Sequence, residues 1–273
     1  MSVDVEDYFQ VSAFEQQVAR GQWDDLELRV EANVDRILEL FARHDVCATF
    51  FTLGWVAERC PQMVRRIVEQ GHELASHGYQ HTRVTQQDER EFRQDVLRTK
   101  GILEDLGGAP VLGYRAASYS IGADNLWALD VLEETGHRYS SSIYPIKHDL
   151  YGMPEAPRFA FRTRGEGGLL EFPVSTVDLA GRRLPCGGGG FFRLFPYQFS
   201  KYLIQRFNRT TSQPSIFYFH PWEVDPEQPR MAGASAKSKF RHYLNLNRME
   251  ARLERLADDF VWAPLRDVYR IDY

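Results

Sequence analysis

The sequence predicts an α/β fold in which parallel strands close into a barrel. Short apolar segments typical of strands alternate with helices whose apolar residues recur at three- and four-residue intervals. Polar residues that could carry chemistry follow several different strands, which favours a barrel, because an open doubly wound sheet gathers them at one switch point. The length of 273 residues is normal for a single barrel domain.

The predicted strands are short apolar runs that lie between helical segments. They are residues 2–7, 48–53, 72–77, 111–114, 139–143 and 215–219. The predicted helices carry one apolar face each, and they cover residues 30–41, 61–68, 92–106, 124–132 and 253–260. This order along the chain is that of repeated βαβ units.

Turn and cap residues predict where the helices begin and end. Gly107-Gly108 should close the third helix, and Asp124 should cap the fourth. Asn247 with Glu250 has the spacing of a capping box for the last helix. Four glycines at 187–190 lack the spacing of a phosphate-binding loop, so we expect a flexible loop or a close-packed turn at the mouth of the site.

Composition excludes several classes of function. A formal net charge of −5 gives no electrostatic footprint for nucleic acid. The chain has no apolar run of the roughly 18 residues that a membrane span requires, and no secretory signal pattern. Its three cysteines form no framework of pairs, which favours reduced thiols. We therefore expect a cytoplasmic location.

Two clusters of polar residues predict a metal site. Asp4, Glu6 and Asp7 end the first strand, where three close acids are unfavourable unless a cation or a proton compensates them. His77 and His81 follow another strand, and their spacing lets both imidazoles face one ion. Either cluster alone could be structural, but together they indicate a site of two histidines and one carboxylate.

Two later residues follow strands in the same way. Arg115 comes directly after the predicted strand 111–114, although an arginine there could also form a surface salt bridge. His220 closes the strand 215–219, where a barrel enzyme places catalytic groups. Both are therefore candidates for the same site.

These motifs resemble the NodB-type polysaccharide deacetylases, a carbohydrate esterase superfamily, over nearly the whole chain. The most specific stretches are Ala48–Phe51, Gly54, Gly71–His81, Arg115 and Phe219-His220. A narrower resemblance, to deacetylases of bacterial exopolysaccharide and exosortase gene clusters, rests on Val3–Phe9, Gly113–Ser120, Phe191–Arg193, His220–Glu223 and Arg241–Asn245. It implies one deformed (β/α) barrel domain over residues 1–273, with a C-terminal extension from about residue 225.

The resemblance also implies an activity and roles for the site residues. The activity is metal-dependent removal of N-acetyl groups from an amino-sugar polysaccharide or oligosaccharide, with Zn²⁺ as the expected ion and Co²⁺ or Ni²⁺ as alternatives. His77 and His81 would be metal ligands, Arg115 would orient the catalytic base, and His220 would act as general acid. Tyr119 and Trp222, which lie within these motifs, are expected to contact the sugar.

The three acids allow two alignments with the family motif, in which a base precedes a metal ligand. Aligning on adjacent acids makes Glu6 the base and Asp7 the ligand, which we prefer because aspartate is the commoner ligand there. Aligning on relatives with a spaced pair makes Asp4 the base and Glu6 the ligand. Ala117 and Ser140-Ser141 also stand where relatives often have proline and aspartate.

Two other functions remain open at the level of sequence. One is hydrolysis of another amide, as in allantoinase-like proteins of the same fold, and the intact His77/His81 pair argues against the versions that work without metal. The other is a sugar-binding domain that has lost activity, which the unusual acid motif would allow. Metal content and acetate release distinguish the three.

Overall fold

The computed structural model describes residues 1–148 and 151–271, and its centre is a curled, mostly parallel sheet. The strands are β1 (Ser2–Val5), β2 (Thr49–Thr52), β3 (Glu73–Ser76), β4 (Gly113–Tyr114), β5 (Tyr139–Ser140), β6 (Phe161–Glu166), β7 (Leu170–Glu171), β8 (Thr176–Leu179), β9 (Arg182–Pro185) and β10 (Tyr218–Phe219). Eight of them form one sheet in the order β10-β1-β2-β3-β4-β5-β7-β6, and β8 pairs with β9 in a hairpin. Only β6 runs antiparallel to its neighbour in the large sheet.

Helices follow most of the strands and cover the outside of the sheet. They are α1 (Val30–Arg43), α2 (Gly54–Arg59), α3 (Pro61–Glu69), α4 (Glu89–Gly107), α5 (Trp127–Glu134), α6 (Gly189–Leu194), α7 (Tyr197–Thr211), α8 (Ala236–Tyr243), α9 (Met249–Asp259) and α10 (Leu265–Tyr269). Among the residues that the structure describes, no helix is long and apolar enough to cross a membrane.

The hairpin bridges the two edges of the large sheet. The chain runs from β7 into β8, and the Cys186 amide, just after β9, donates to the Ser175 carbonyl at 3.2 Å. On the other side, the Tyr218 amide donates to the Gly187 carbonyl at 2.7 Å, and Gly188 pairs with Tyr218 in parallel. This irregular closure gives the deformed barrel that the sequence predicts.

The central strands are buried because helices cover the outer face of the sheet. Every residue of β1, β2 and β3 is buried, as expected for a parallel sheet covered by helices. Val3 and Phe50 belong to the same apolar cluster as Val34 and Phe41 of α1. The apolar face of each helix therefore places it on the sheet, and the strand ends carry the polar residues.

Helix boundaries agree with the prediction at some caps and differ at others. Helix α4 ends at Gly107, and Gly108 has φ of +64°, as predicted. Asp124 does not cap α5: it lies in a 3-10 turn in which the Gly122 amide donates to the Asn125 side chain. The predicted capping box at Asn247 is also wrong, because that residue lies within a 3-10 turn directly before α9.

The four glycines at 187–190 form a close-packed turn and not a flexible loop. A Cβ atom on Gly187 would lie 2.1 Å from the Ile216 carbonyl oxygen, and one on Gly189 would lie 2.3 Å from the Glu223 carboxylate. Gly190, in contrast, has open space around it. The glycines at 187 and 189 are therefore required by close approach of the backbone to its neighbours.

Candidate active site

The acids and imidazoles meet where the parallel strands end. Register pairing places Val5 beside Thr52 and Thr52 beside Ser76, so β1, β2 and β3 end side by side. Glu6 and His77 directly follow these ends. Potential ligand atoms of Glu6, His77 and His81 all lie within 4.8 Å of one another, and the three residues are buried.

Backbone contacts hold the loop that carries the two histidines. The Tyr79 amide donates to both oxygens of the Asp95 carboxylate at 3.2 Å, from the side of α4. The Gly54 amide at the start of α2 donates to the Gly78 carbonyl at 3.0 Å. His77 Nδ1 lies 2.8 Å from the Arg115 carbonyl oxygen, which turns Nε2 of the ring towards Glu6 and His81.

The donor set fits a divalent transition metal. Glu6 Oε2 is buried and lies 3.0 Å from His81 Nε2, yet the angles between them do not make a hydrogen bond and the oxygen has no such partner among the described residues. Burial opposes ionisation of Glu6, but His81 and His220 outweigh it and hold the pKa of Glu6 below its usual range. Two imidazoles and one carboxylate match the ligand preferences of Zn²⁺.

Asp7 lies outside this cluster, which favours the other alignment, with Glu6 as the ligand. Its Oδ2 accepts from the amides of Arg29 and Val30 at 2.7 and 2.9 Å, at the start of α1. Its Oδ1 accepts from the Tyr8 amide at 2.8 Å. Burial raises the pKa of Asp7 to about 6, although these amide bonds oppose the rise. The physical reason is helix capping: both oxygens satisfy amide groups that would otherwise be unpaired.

Asp4 forms a buried ion pair with Arg115. Arg115 Nη1 donates to Asp4 Oδ1 at 2.6 Å and to the Ser2 hydroxyl at 2.8 Å. Its Nε and Nη2 donate to the backbone oxygen and the hydroxyl of Ser141 at 3.1 and 3.0 Å. Both partners are almost fully buried, with side-chain exposures of 2% for Asp4 and 0% for Arg115. Ser141, one of the departures from the family pattern, thus helps to hold the arginine.

His220 faces both acids from β10. Its Nε2 lies 4.0 Å from Asp4 Oδ2 and 3.6 Å from Glu6 Oε1. Its Nδ1 lies 2.8 Å from Glu223 Oε1. Burial alone would lower the pKa of His220, but the bond to Glu223 and the charges of Glu6 and Asp4 raise it to about 9. A protonated imidazole with Nε2 facing the acids is therefore favoured at neutral pH.

Trp222 packs against two histidine rings. It stacks on His220 at 5.1 Å between centroids and on His242 at 4.1 Å. The residue is 6% exposed, and its Nε1 donates to Glu6 Oε1 at 3.2 Å. Trp222 therefore orients Glu6 and His220.

Tyr119 lies at the border between the acids and a large cavity. Its ring centroid is 5.6 Å from the Arg115 guanidinium carbon. The cavity has a volume of about 610 Å³, and its lining includes Arg83, Gln87, Tyr119, Asn125, Trp127 and Tyr151. These side chains belong to loops and turns that follow β3, β4 and β5. The cavity thus combines aromatic rings with polar groups on the side of the barrel that carries the acids and imidazoles.

Comparison with known proteins matches two families to successive segments of the chain. Residues 14–140 match the family described as polysaccharide deacetylase. Residues 141–270 match a domain of unknown function, DUF3473. The two matched segments share one sheet, because β5 of the first segment pairs with β7 of the second.

The curated relatives include proteins named as deacetylases of peptidoglycan and of chitooligosaccharides. Peptidoglycan-N-acetylglucosamine deacetylase of Bacillus cereus is 40% identical over 171 residues, which cover 58% of this chain and 61% of the relative. The chitooligosaccharide deacetylase of Sinorhizobium fredii is 32% identical over 90 residues, which cover 33% of this chain and 42% of the relative. The chain therefore spans less than two thirds of the length of each.

Solved structures support the fold of this chain. A Mycobacterium smegmatis structure described as a polysaccharide deacetylase matches with a TM-score of 0.65 at 20% identity, over 99% of this chain and 87% of the other. A Pseudomonas aeruginosa structure of the same description gives a TM-score of 0.58 at 22% identity, over 87% and 71%. An allantoinase structure also gives a TM-score of 0.58, at 20% identity over 87% and 71%. These likenesses confirm the deformed (β/α) barrel.

Several residues of the site have no role assigned from sequence. From sequence, Glu223 and Arg193 were noted only as members of motifs. In the structure their side chains form a buried ion pair beside His220, with 2.6 Å between Arg193 Nε and Glu223 Oε2. The spacing of three residues between His220 and Glu223 is a local signal that could have indicated this contact. Asp95 carries no such signal, because only the packing of α4 brings it to the histidine loop.

We expect Arg115→Met to destabilise the protein strongly, because it leaves the buried Asp4 carboxylate without its cation. The free energy of unfolding should fall by about 3–5 kcal/mol, measured by urea denaturation. Arg43→Met is the control, because Arg43 pairs with Glu254 at the surface with exposures of 50% and 40%. It should cost less than about 1 kcal/mol. Equal losses in the two variants would contradict a structural role for the buried pair.

Proposed function

We propose that this chain is a metal-dependent hydrolase that removes N-acetyl groups from an amino-sugar polysaccharide. The proposal rests on three groups that lie together at one end of the barrel: a set of metal ligands, an acid and a histidine. Glu6, His77 and His81 form a ligand set. Asp4 lies beside it in a buried ion pair, and His220 faces both acids.

The metal would be held by Glu6, His77 and His81, with Zn²⁺ as the expected ion and Co²⁺ or Ni²⁺ as alternatives of similar preference. Bound there, it would polarise the acetyl carbonyl and lower the pKa of a water from 15.7 toward about 7. Trp222 Nε1 donates to Glu6 Oε1, which leaves Oε2 facing His81. The protein thereby orients the carboxylate before an ion binds.

The remaining residues of the site move protons. Asp4 acts as the base that takes a proton from the attacking water, and Arg115 orients it through Oδ1. Oδ2 of the same carboxylate is the oxygen that faces His220. His220 donates from Nε2 to the departing amine, because an amide anion is too poor a leaving group. Bond formation from water to the carbonyl and cleavage of the C–N bond then yield acetate and a free amine.

The cavity beside Tyr119 supports a polymeric substrate. Its aromatic and polar lining suits sugar rings, which stack on aromatic faces and hydrogen-bond to amide and guanidinium groups. We assign it to the sugar next to the one that loses its acetyl group. The motifs shared with deacetylases of exopolysaccharide gene clusters favour an exopolysaccharide, whereas the Bacillus cereus relative is named for peptidoglycan.

Metal content tests the ligand assignment. Glu6→Gln, His77→Ala and His81→Ala should each lose stoichiometric zinc, because each removes one of the three ligands. Asp7→Asn is the matched control and should keep its metal, since the Asp7 carboxylate accepts only backbone amides. Atomic emission on dialysed protein measures the zinc. A chelator should abolish acetate release, with recovery on adding zinc; loss of metal in Asp7→Asn with retention in Glu6→Gln would reverse the assignment.

His220→Ala tests the general acid. The variant should keep its metal and lose about 10²–10⁴-fold in turnover of an N-acetylglucosamine oligomer. An activated aryl acetate ester should lose much less, because its leaving group departs without a proton. Acetate and phenolate release measure the two rates. Equal losses on both substrates would refute the assignment.

Trp127→Ala tests the sugar cavity. Its KM for an N-acetylglucosamine tetramer should rise by about tenfold, the loss of one stacking contact worth about 1.4 kcal/mol, while activity on the monomer stays unchanged. Leu126→Ala, at the neighbouring position outside the cavity lining, is the control. An equal rise in KM for monomer and tetramer would show that the cavity is not part of the substrate site.

The proposed exopolysaccharide substrate predicts that acetate release is faster from an acetylated exopolysaccharide than from peptidoglycan. Faster release from peptidoglycan would indicate a cell-wall substrate.

A further inference from the structure

The carboxylate of Glu223 is enclosed on three sides beside the active site. Oε1 lies 2.8 Å from His220 Nδ1, and it also accepts from the His220 amide at 3.1 Å. Oε2 accepts from Arg193 Nε at 2.6 Å. The backbone of Gly189 forms the third side, where an added Cβ would lie 2.3 Å from Oε1 and 2.6 Å from Oε2. Glu223 is fully buried, so this enclosure fixes its position.

Arg193 connects this carboxylate to the C-terminal part of the chain. Its Nη1 donates to the carbonyl oxygens of His242 and Leu244 at 2.9 and 2.6 Å. Its Nη2 donates to the carbonyl oxygen of Arg241 at 3.1 Å. In return, Asn245 Nδ2 donates to the Arg193 carbonyl oxygen at 2.8 Å. The planar guanidinium therefore joins Glu223 to the segment that ends α8, in a geometry that a lysine could not reproduce.

A second contact from the same segment reaches the site through Trp222. His242 and His220 both stack on the ring of Trp222. His242 Nε2 lies 2.6 Å from Gln228 Oε1, and Gln228 Nε2 donates to the Trp222 carbonyl oxygen at 2.7 Å. Stacking on Trp222 therefore fixes the plane of the His220 ring, and the contact of Nδ1 with Glu223 fixes the rotation of the ring within that plane.

We propose that residues 241–245, within the domain of unknown function, act through Arg193 and Glu223 as a positioning device for the general acid His220. The proposal rests on the proposed deacetylase function. Glu223 holds Nδ1 of the imidazole, so the proton to be donated stays on Nε2, which faces Asp4 and Glu6. Arg193 in turn fixes Glu223, and the carbonyl oxygens of 241–244 fix Arg193. The role of this part of the domain is then to place a proton donor in a site whose proposed metal ligands, Glu6, His77 and His81, all lie outside that domain.

The nature of the leaving group separates this role from a purely structural one. A general acid matters for an amine leaving group and much less for an activated phenolate. A lesion in the positioning device should therefore lower the ratio of amide to ester turnover. A lesion that merely unfolds part of the protein lowers both rates together. Because both rates are measured on one zinc-loaded preparation, the ratio is independent of the folded fraction.

Glu223→Gln keeps an oxygen beside His220 Nδ1 and removes the negative charge. It should retain zinc and lower the amide-to-ester ratio by at least tenfold, within the 10²–10⁴-fold that a general acid supplies. Arg193→Lys keeps the positive charge but loses the fork of contacts to residues 241–244. It should lower the same ratio by a smaller factor. An unchanged ratio in both variants would overturn the proposal.

A matched pair of glycine variants tests the enclosure of Glu223 without altering any charged residue. Gly189→Ala places a methyl group within 2.3–2.7 Å of the Glu223 carboxylate, whereas Gly190→Ala meets nothing within 4 Å. Both substitutions lie in α6, so their effects on helix propensity are alike. We expect Gly189→Ala to lower the amide-to-ester ratio and Gly190→Ala to leave it at the wild-type value. Equal ratios in the two variants would contradict the proposal. This comparison still tests the proposal if Glu223→Gln fails to fold.

The outcomes also distinguish this inference from the proposed function. If the wild-type protein with zinc releases no acetate from any N-acetylated sugar, the deacetylase assignment fails and the positioning role falls with it. If the wild-type protein is active and His220→Ala shows the selective loss on amides, the function stands. In that case, wild-type ratios in Glu223→Gln and Gly189→Ala overturn the positioning role alone.

Discussion

The geometry of the candidate active site depends on the buried guanidinium of Arg115. Its side chain bonds to Ser2 and Asp4 on β1 and to Ser141 after β5, so it joins strands from opposite parts of the sheet. Its carbonyl oxygen meets His77 Nδ1. One residue thus fixes both the acid assigned as base and one imidazole of the ligand set. Because a buried charge without its partner is very unfavourable, the base and its support form together or not at all.

The barrel was predictable because periodicity encodes it directly: apolar strands alternate with amphipathic helices, and candidate residues follow the strands. Residue preferences did not decide among the three acids, and two alignments stayed open. Side chains alternate in direction along extended chain, which favours Asp4 and Glu6 on one side and Asp7 on the other. The structure has the same arrangement, because Asp7 accepts hydrogen bonds at the start of α1 while Glu6 lies with the imidazoles. This geometry favours the alignment that makes Glu6 the ligand.

Other parts of the site lay beyond sequence reasoning for a physical reason. Trp222 was expected to contact sugar because it lies within a family motif, but sequence gave no sign that His220 and His242 would stack on its ring. The contacts of Arg193 with residues 241–244 span about fifty positions and follow no periodicity. Such contacts form when whole elements pack together, and local sequence patterns do not indicate them. The four glycines illustrate the same point, since their purpose is visible only when the Ile216 carbonyl and the Glu223 carboxylate lie against them.

The pairing of β1 with β10 has a consequence for how the protein acquires activity during synthesis. The hydrogen bond between Trp222 and Glu6 joins residues 216 positions apart. A nascent chain can pair β1 with β2 early, but one edge of β1 stays unpaired until β10 leaves the ribosome. Closing so long a loop slows folding and exposes apolar strand edges in the meantime. The candidate active site therefore cannot form on a chain that stops short of Trp222, and translation itself delays its assembly until that residue is made.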